Sequence, residues 1–180
     1  SGLTGNANVE PIRLMMHFLA AMFLICYTYT QYLKYLDTAK SISYLSINNI
    51  FILTQLILIQ IIYGTFTAGL DAGYIYNTFP LMDGKIIPLH LFHDNGIVDN
   101  LFYNPASVQY IHRLLGIILF IISIFIFLNR IQKKAFNSID IKFSSLIILQ
   151  FLLGMFALIS NMNIFIAVLH QVNACLILLT

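Results

Sequence analysis

The sequence predicts an all-α, polytopic membrane protein of five transmembrane helices, the last four forming an antiparallel four-helix bundle. Three observations predict it. The 180 residues are 59% hydrophobic and 9% charged, with a mean hydropathy of +0.87, whereas a soluble domain runs near 45–50% apolar and about 25% charged. The apolar residues gather into five stretches nearly free of charge, each too long for a strand, and in hydrocarbon a helix satisfies every backbone polar group within its own segment. The basic residues, in turn, collect in alternate links. This composition excludes a soluble monomer. A net charge of +2 argues against a nucleic-acid partner, and two cysteines argue against a disulfide-stapled secreted domain.

The first stretch runs from about Pro11 to Tyr32, with proline at its start where a missing N–H costs nothing. The second runs from about Ile47 to Leu70, and the third from about Val108 to Leu128, just after Pro105. The fourth spans about Phe143 to Ile159 and the fifth begins near Ile164 and continues to Thr180. Only Asn161–Met162–Asn163 separates the last two, which predicts a tight antiparallel hairpin. No targeting peptide is visible: Ser1 is not an initiator Met and no charged segment precedes a signal-type core. The fifth stretch is still apolar at Thr180, so the expectation is part of a larger bundle.

Orientation follows from the links. Lys34 and Lys40 lie between the first and second stretches, and Arg130, Lys133, Lys134 and Lys142 between the third and fourth. The long loop 71–107 carries Asp71, Asp83, Asp94 and Asp99 but only Lys85. The positive-inside bias places the two short links in the cytoplasm or mitochondrial matrix and the long loop outside. That loop mixes turn residues with aromatics between Ala68 and Met82, which suits a segment capping the outer mouth of the bundle.

Histidine is almost the only ionisable residue within the spans: His17 in the first, His112 in the third and His170 in the fifth. Ionisable groups in a membrane are functional candidates by default. At 1.5 Å per residue each sits roughly 6–10 Å inside the outer end of its helix. In an up-down-up-down bundle the third and fifth stretches are diagonal, so His112 and His170 face each other with room for a flat cofactor. Two neutral imidazoles are one way of holding heme iron without burying a charge. Gly116 and Ala174, one turn below, leave space for a porphyrin face, and Arg113 is placed to meet propionates or else to snorkel to the headgroups. A lone membrane histidine more often bonds across helices, and it is the pair at one depth that points to ligation. His17 has no partner among the other stretches; a second ligand site there needs a helix outside this chain. Ala20 and Ala21 after His17 echo Ala174 after His170, a thin hint of two repeats.

Other signals carry less. Gln55, Gln60 and Gln150 suit bonds across helices, and Gly64 and Gly154 suit close helix packing. His90 and His93, beside Asp94, resemble a metal pair but lack a further ligand nearby and read as solvated loop residues. Cys26 and Cys175 read as small apolar fillers. A small transporter is disfavoured, since the second to fifth stretches offer no mid-membrane Asp, Glu or Lys.

The runs AGLDAGYIYNTFPLMDGKIIP at 68–88, VQYIHRLLG at 108–116 and LHQVNA at 169–174 resemble the heme A synthase family in its mitochondrial and alphaproteobacterial form, as does SGLTGNANVEPIRLMMHF at 1–18. The resemblance implies eight spanning helices in two pseudo-symmetric halves, of which this chain matches helices four to eight. Residues 1–45 then hold the last helix of an incomplete N-terminal half and a cytoplasmic link. Residues 46–180 form the C-terminal, heme-binding half. It further implies that His112 and His170 hold heme b, and that His17 is one ligand of the heme O site. His17's partner and a nearby acidic residue would lie on a helix absent from this chain. The implied reaction oxidises a methyl group of heme O, the substrate, to a formyl group, giving heme A for terminal cytochrome oxidase, with the fragment alone inactive. Implied partners are a heme O synthase, an electron donor and the lipid bilayer, with a homo-oligomer left open. The implied location is a bacterial inner membrane, or alternatively the mitochondrial one. The competing reading is a bis-histidine membrane subunit of cytochrome b type, which explains the histidines but not the outer-loop run.

Overall fold

A computed structural model describes residues 10–36, 47–92, 96–134 and 138–180, with the backbone alone at 47–51. Lys40, His93 and Asp94 lie outside the described residues. The described residues form six α-helices: α1 (Pro11–Tyr35), α2 (Ile47–Gly69), α3 (Ile97–Phe102), α4 (Pro105–Gln132), α5 (Ser138–Ile159) and α6 (Ile164–Leu178). The protein is all-α, and α1, α2, α4 and α5 are long and apolar enough to cross a membrane. The fifth apolar stretch forms α6, whose 15 residues reach about 22 Å at 1.5 Å each. That is short of the ~30 Å hydrocarbon core.

Helices α4 and α5 run further than their apolar stretches, for a reason at each end. Asn104 caps α4 by accepting from the backbone N–H of Ala106 at 3.0 Å, with Pro105 next, so the helix starts at Pro105 rather than Val108. At the other end Arg130 reaches Asp140 at 2.7 Å, both side chains largely shielded. This ion pair carries α4 to Gln132 and starts α5 at Ser138 rather than Phe143. Asp140 in the first turn of one helix and Arg130 in the last turn of the other also complement the helix dipoles.

Helix α2 lies on α1 and α4, α4 on α5, and α5 on α6. The contacts fix the directions. Phe120 stacks on Phe151 while Arg130 meets Asp140, so α4 and α5 are antiparallel. Asn161 and Met162 both adopt left-handed backbone between α5 and α6, and Asn163 then accepts from Phe165 N–H at 3.0 Å to start α6. This is the tight hairpin the sequence predicts. Lys34, Arg130, Lys133, Lys134 and Lys142 come together at one end of the bundle and Asp71, Asp83 and Asp99 at the other.

Two buried apolar clusters bracket the bundle. The larger gathers Met22, Leu53, Ile57, Ile61, Leu119, Ile147 and Ile177 toward the basic end. The smaller, Tyr76, Met82 and Ala106 with Tyr110 against them, sits under the outer loop. That loop is tied down. Gln109, almost wholly buried, donates to the Tyr76 carbonyl at 3.0 Å. Asn77 donates to the Leu158 carbonyl at 3.1 Å, Asn104 to that of His90 at 3.1 Å, and Ser107 to that of Leu91. The loop caps the bundle over α4 and α5.

Candidate functional site

Along α4, His112 lies between Ala106 of the smaller cluster and Leu119 of the larger, and along α6 His170 lies on the outer side of Ile177 of the larger. His112 is the eighth residue of α4 and His170 the seventh of α6, so the imidazoles stand at matching depth below the cap. Each ring rests on a glycine of the neighbouring antiparallel helix. A Cβ on Gly64 of α2 would fall 3.1 Å from Cε1 of His112, and one on Gly154 of α5 would fall 2.9 Å from Cε1 of His170.

One turn deeper, each glycine has a glutamine. Gln60 donates to the backbone carbonyl of His112 at 3.1 Å, and a Cβ on Gly116 would stand 3.1 Å from the Gln60 amide. Gln150 holds the His170 ring at both nitrogens: its amide lies 3.2 Å from Nε2, and its backbone carbonyl 3.1 Å from Nδ1. Asn173, buried, donates to the Gln150 side-chain oxygen at 2.8 Å and to the Leu146 carbonyl at 2.9 Å. The pairs α2 with α4 and α5 with α6 thus both set a glycine against an imidazole with a glutamine one turn deeper, but Gln60 bonds the backbone of its histidine and Gln150 the ring.

Gln60, Gln150, Gly64 and Gly154 read from sequence as helix-packing residues; the structure puts all four against the histidine layer. The signal that marks them is the repeat Gln60-Ile-Ile-Tyr-Gly64 and Gln150-Phe-Leu-Leu-Gly154. Its two copies stand equally far from the ends of α2 and α5. Asn173 carried no such signal. Gly116 faces Gln60, so the space it leaves on that side serves packing between α2 and α4.

Arg113, one residue past His112, donates to the backbone carbonyls of Thr78, at 2.8 Å, and Tyr76. Its charge therefore anchors the cap. Its Nε–H is buried with no hydrogen-bond partner among the described residues, as is Nδ1 of His112. Buried polar groups almost always have partners, so the Arg113 Nε–H is the group that would meet an anionic part of a ligand. His17 is exposed, on a stripe of α1 with Met16, Ala20, Phe23, Leu24 and Tyr27 that turns away from α2. The structure does not bring it to the other two histidines. Cys175 Sγ lies 3.3 Å from Met22 Sδ, filling space between α6 and α1. No group of three or more His, Cys, Asp or Glu among the described residues is arranged to hold a metal ion.

Two imidazoles presented by two helix pairs, each on a glycine shelf, under a cap held by arginine, form the geometry to compare with known proteins. Residues 1–180 match the COX15-CtaA family of cytochrome oxidase assembly proteins. The chain belongs to that family. It is similar to the heme A synthase of Wolbachia pipientis wMel, 39% identical over 176 residues covering 96% of this chain and 49% of the relative. It is 36% identical over 174 residues to that of the Wolbachia strain from Culex pipiens, covering 95% of this chain and 51% of the relative. With the heme A synthase of Pelagibacter ubique it shares 35% over 181 residues, 99% of this chain and 53% of the relative. The chain spans about half the length of the COX15-CtaA relatives it matches. No solved structure matches it at a significant level.

Proposed function

We propose that this chain is the C-terminal portion of a heme A synthase, a membrane oxidoreductase that oxidises a methyl group of heme O to a formyl group. In this reading residues 46–180 are the half that holds an electron-relaying heme b, and the segment up to residue 45 ends the half that binds heme O. His112 and His170 are the residues that would hold heme b, which supplies reversible one-electron transfer when bound. The observation that carries the reading is the pair of imidazoles at one depth, each seated so close to a glycine that an added Cβ would fall within 3.1 Å of the ring.

The chain's own residues do the rest. Gly64 and Gly154 set how far each ring leans back toward its neighbouring helix. Arg113 keeps the cap closed over the layer and retains one buried N–H for an anionic group such as a propionate. The cap lies on the outer side of the layer and the larger apolar cluster on its inner side. His17 stands on the open face of α1, where a heme O site shared with further helices would form. A heme O synthase supplies the substrate and a separate protein or quinol the electrons, in a bacterial inner membrane.

The test is made on the protein purified in detergent from its whole reading frame. The unaltered protein is expected to show a low-spin, bis-imidazole heme spectrum that His112→Ala and His170→Ala each abolish. Cells that supply heme O should accumulate heme A only with the unaltered protein. Low-spin heme without any heme A would favour the cytochrome b reading, and an unchanged spectrum in both variants would reject the site.

A further inference from the structure

We propose that the Gln150 side-chain amide is a displaceable cap on the ligating nitrogen of His170, with no such amide on the ring of His112, so that the two histidines would take up heme iron in a set order. The proposal rests on the bis-histidine reading above. Its warrant is a hydrogen-bond chain whose proton positions follow from one carbonyl. The Leu146 carbonyl can only accept, so the atom of Asn173 facing it at 2.9 Å is the amide nitrogen. That nitrogen's second hydrogen points at Gln150 at 2.8 Å, and the atom receiving it is the side-chain oxygen. The other end of the Gln150 amide is then a donor, and it faces Nε2 of His170 at 3.2 Å. Nε2 therefore carries the lone pair. Nδ1 carries the hydrogen and donates it to the Gln150 backbone carbonyl at 3.1 Å.

This is the tautomer a metal-bound histidine needs, with Nδ1–H anchored to a carbonyl and Nε2 presented. Yet the lone pair is already engaged. For Nε2 to bind iron, one hydrogen bond from the Gln150 amide breaks as one dative bond forms, and no proton moves. The anchor on Nδ1 stays in place, so the ring need not turn. At the matching position of the other hairpin the Gln60 side-chain amide donates to the backbone carbonyl of His112, so it is spent on the backbone and does not stand on a ring nitrogen. His112 is the open ligand and His170 the guarded one.

The experiment adds hemin to the heme-free protein, expressed from its whole reading frame, and follows absorbance after rapid mixing. Two phases are expected: a first to a single-histidine, high-spin spectrum and a second to the low-spin form. His170→Ala should stop at the first. Gln150→Met matches the side chain's length but donates no hydrogen bond; it should speed the second phase about five-fold, the worth of one hydrogen bond. Asn173→Ala, which frees the Gln150 amide to rotate, should speed it in the same direction. A residue that merely supported the fold would slow the second phase or lower the low-spin yield. If the unaltered protein reaches the low-spin form and both variants show an unchanged or slower second phase, the cap is refuted while the heme site stands. If the unaltered protein never reaches a low-spin spectrum, both readings fall together.

Discussion

Gly154 lies against the imidazole of His170 so closely that a Cβ there would sit 2.9 Å from Cε1, inside any distance real carbons tolerate. The ring is anchored on that side through Nδ1 to the Gln150 backbone carbonyl, so it cannot retreat without breaking that hydrogen bond. Gly154→Ala is therefore expected to push the His170 ring off its seat and replace the low-spin heme spectrum largely by a high-spin one. Gly64→Ala meets His112 at 3.1 Å, where a shift of a few tenths of an ångström suffices. Its effect should be a partial loss, read as a smaller high-spin fraction by electron paramagnetic resonance. Equal effects, or none at Gly154, would contradict the shelf geometry.

Arg113 holds the outer loop by two carbonyls, Tyr76 and Thr78. Hydrogen bonds from a charged donor contribute about 1.5–3 kcal/mol each. Arg113→Met keeps the stem and removes both, while the bond from Gln109 to Tyr76 remains. The expected result is a folded protein whose 71–92 segment is cut at least about ten-fold faster by a protease added from the loop side, since ~1.4 kcal/mol is a factor of ten in the open population. A cleavage rate equal to that of the unaltered protein would show that the cap does not depend on this residue.

The helices and the depth of the histidines were legible because both are matters of counting along one chain: charge-free runs set the spans, and residue number sets depth. The Asn161–Met162–Asn163 hairpin was legible for the same reason, since so short a link leaves one geometry. What could not be read were contacts between chain segments far apart. Gln150 and Gly154 touch His170 because α5 and α6 are antiparallel in one register, and nothing in LHQVNA states that register. The true ends of α4 and α5 were hidden because hydropathy discounts Arg130 and Asp140, which in the fold neutralise each other. Arg113 was placed at the right depth, but its capping bonds to Tyr76 and Thr78 depend on a loop path that spacing does not determine.

That Arg130–Asp140 pair joins α4 to α5 at the basic end of the bundle, both side chains about nine-tenths covered. Removing one member of a buried pair leaves an uncompensated charge and costs about 3–5 kcal/mol, whereas replacing both by apolar groups is often neutral. Asp140→Leu and Arg130→Met should each lower the thermal unfolding temperature measured in detergent. The double variant should recover much of the loss. Additive losses in the double variant would mean that each charge serves a separate partner rather than the other.

His17 stands on α1 at the depth of the other two histidines yet on the exposed stripe with Met16, Phe23 and Leu24, 63%, 69% and 59% accessible. An imidazole held on one open helix has no second ligand opposite it among the described residues. It also lacks the neighbouring-helix glycine that seats the other two rings. The 180-residue chain alone, given heme O and a reductant in detergent, is therefore expected to form no heme A, even where it loads heme at His112 and His170. Chemical accessibility gives an independent check. Diethyl pyrocarbonate should modify His17 well before either bundle histidine, and loading with heme should protect His112 and His170 but not His17. Heme A extracted from such a reaction, or His17 protected by heme in the chain alone, would show that the open face of α1 already forms a working site.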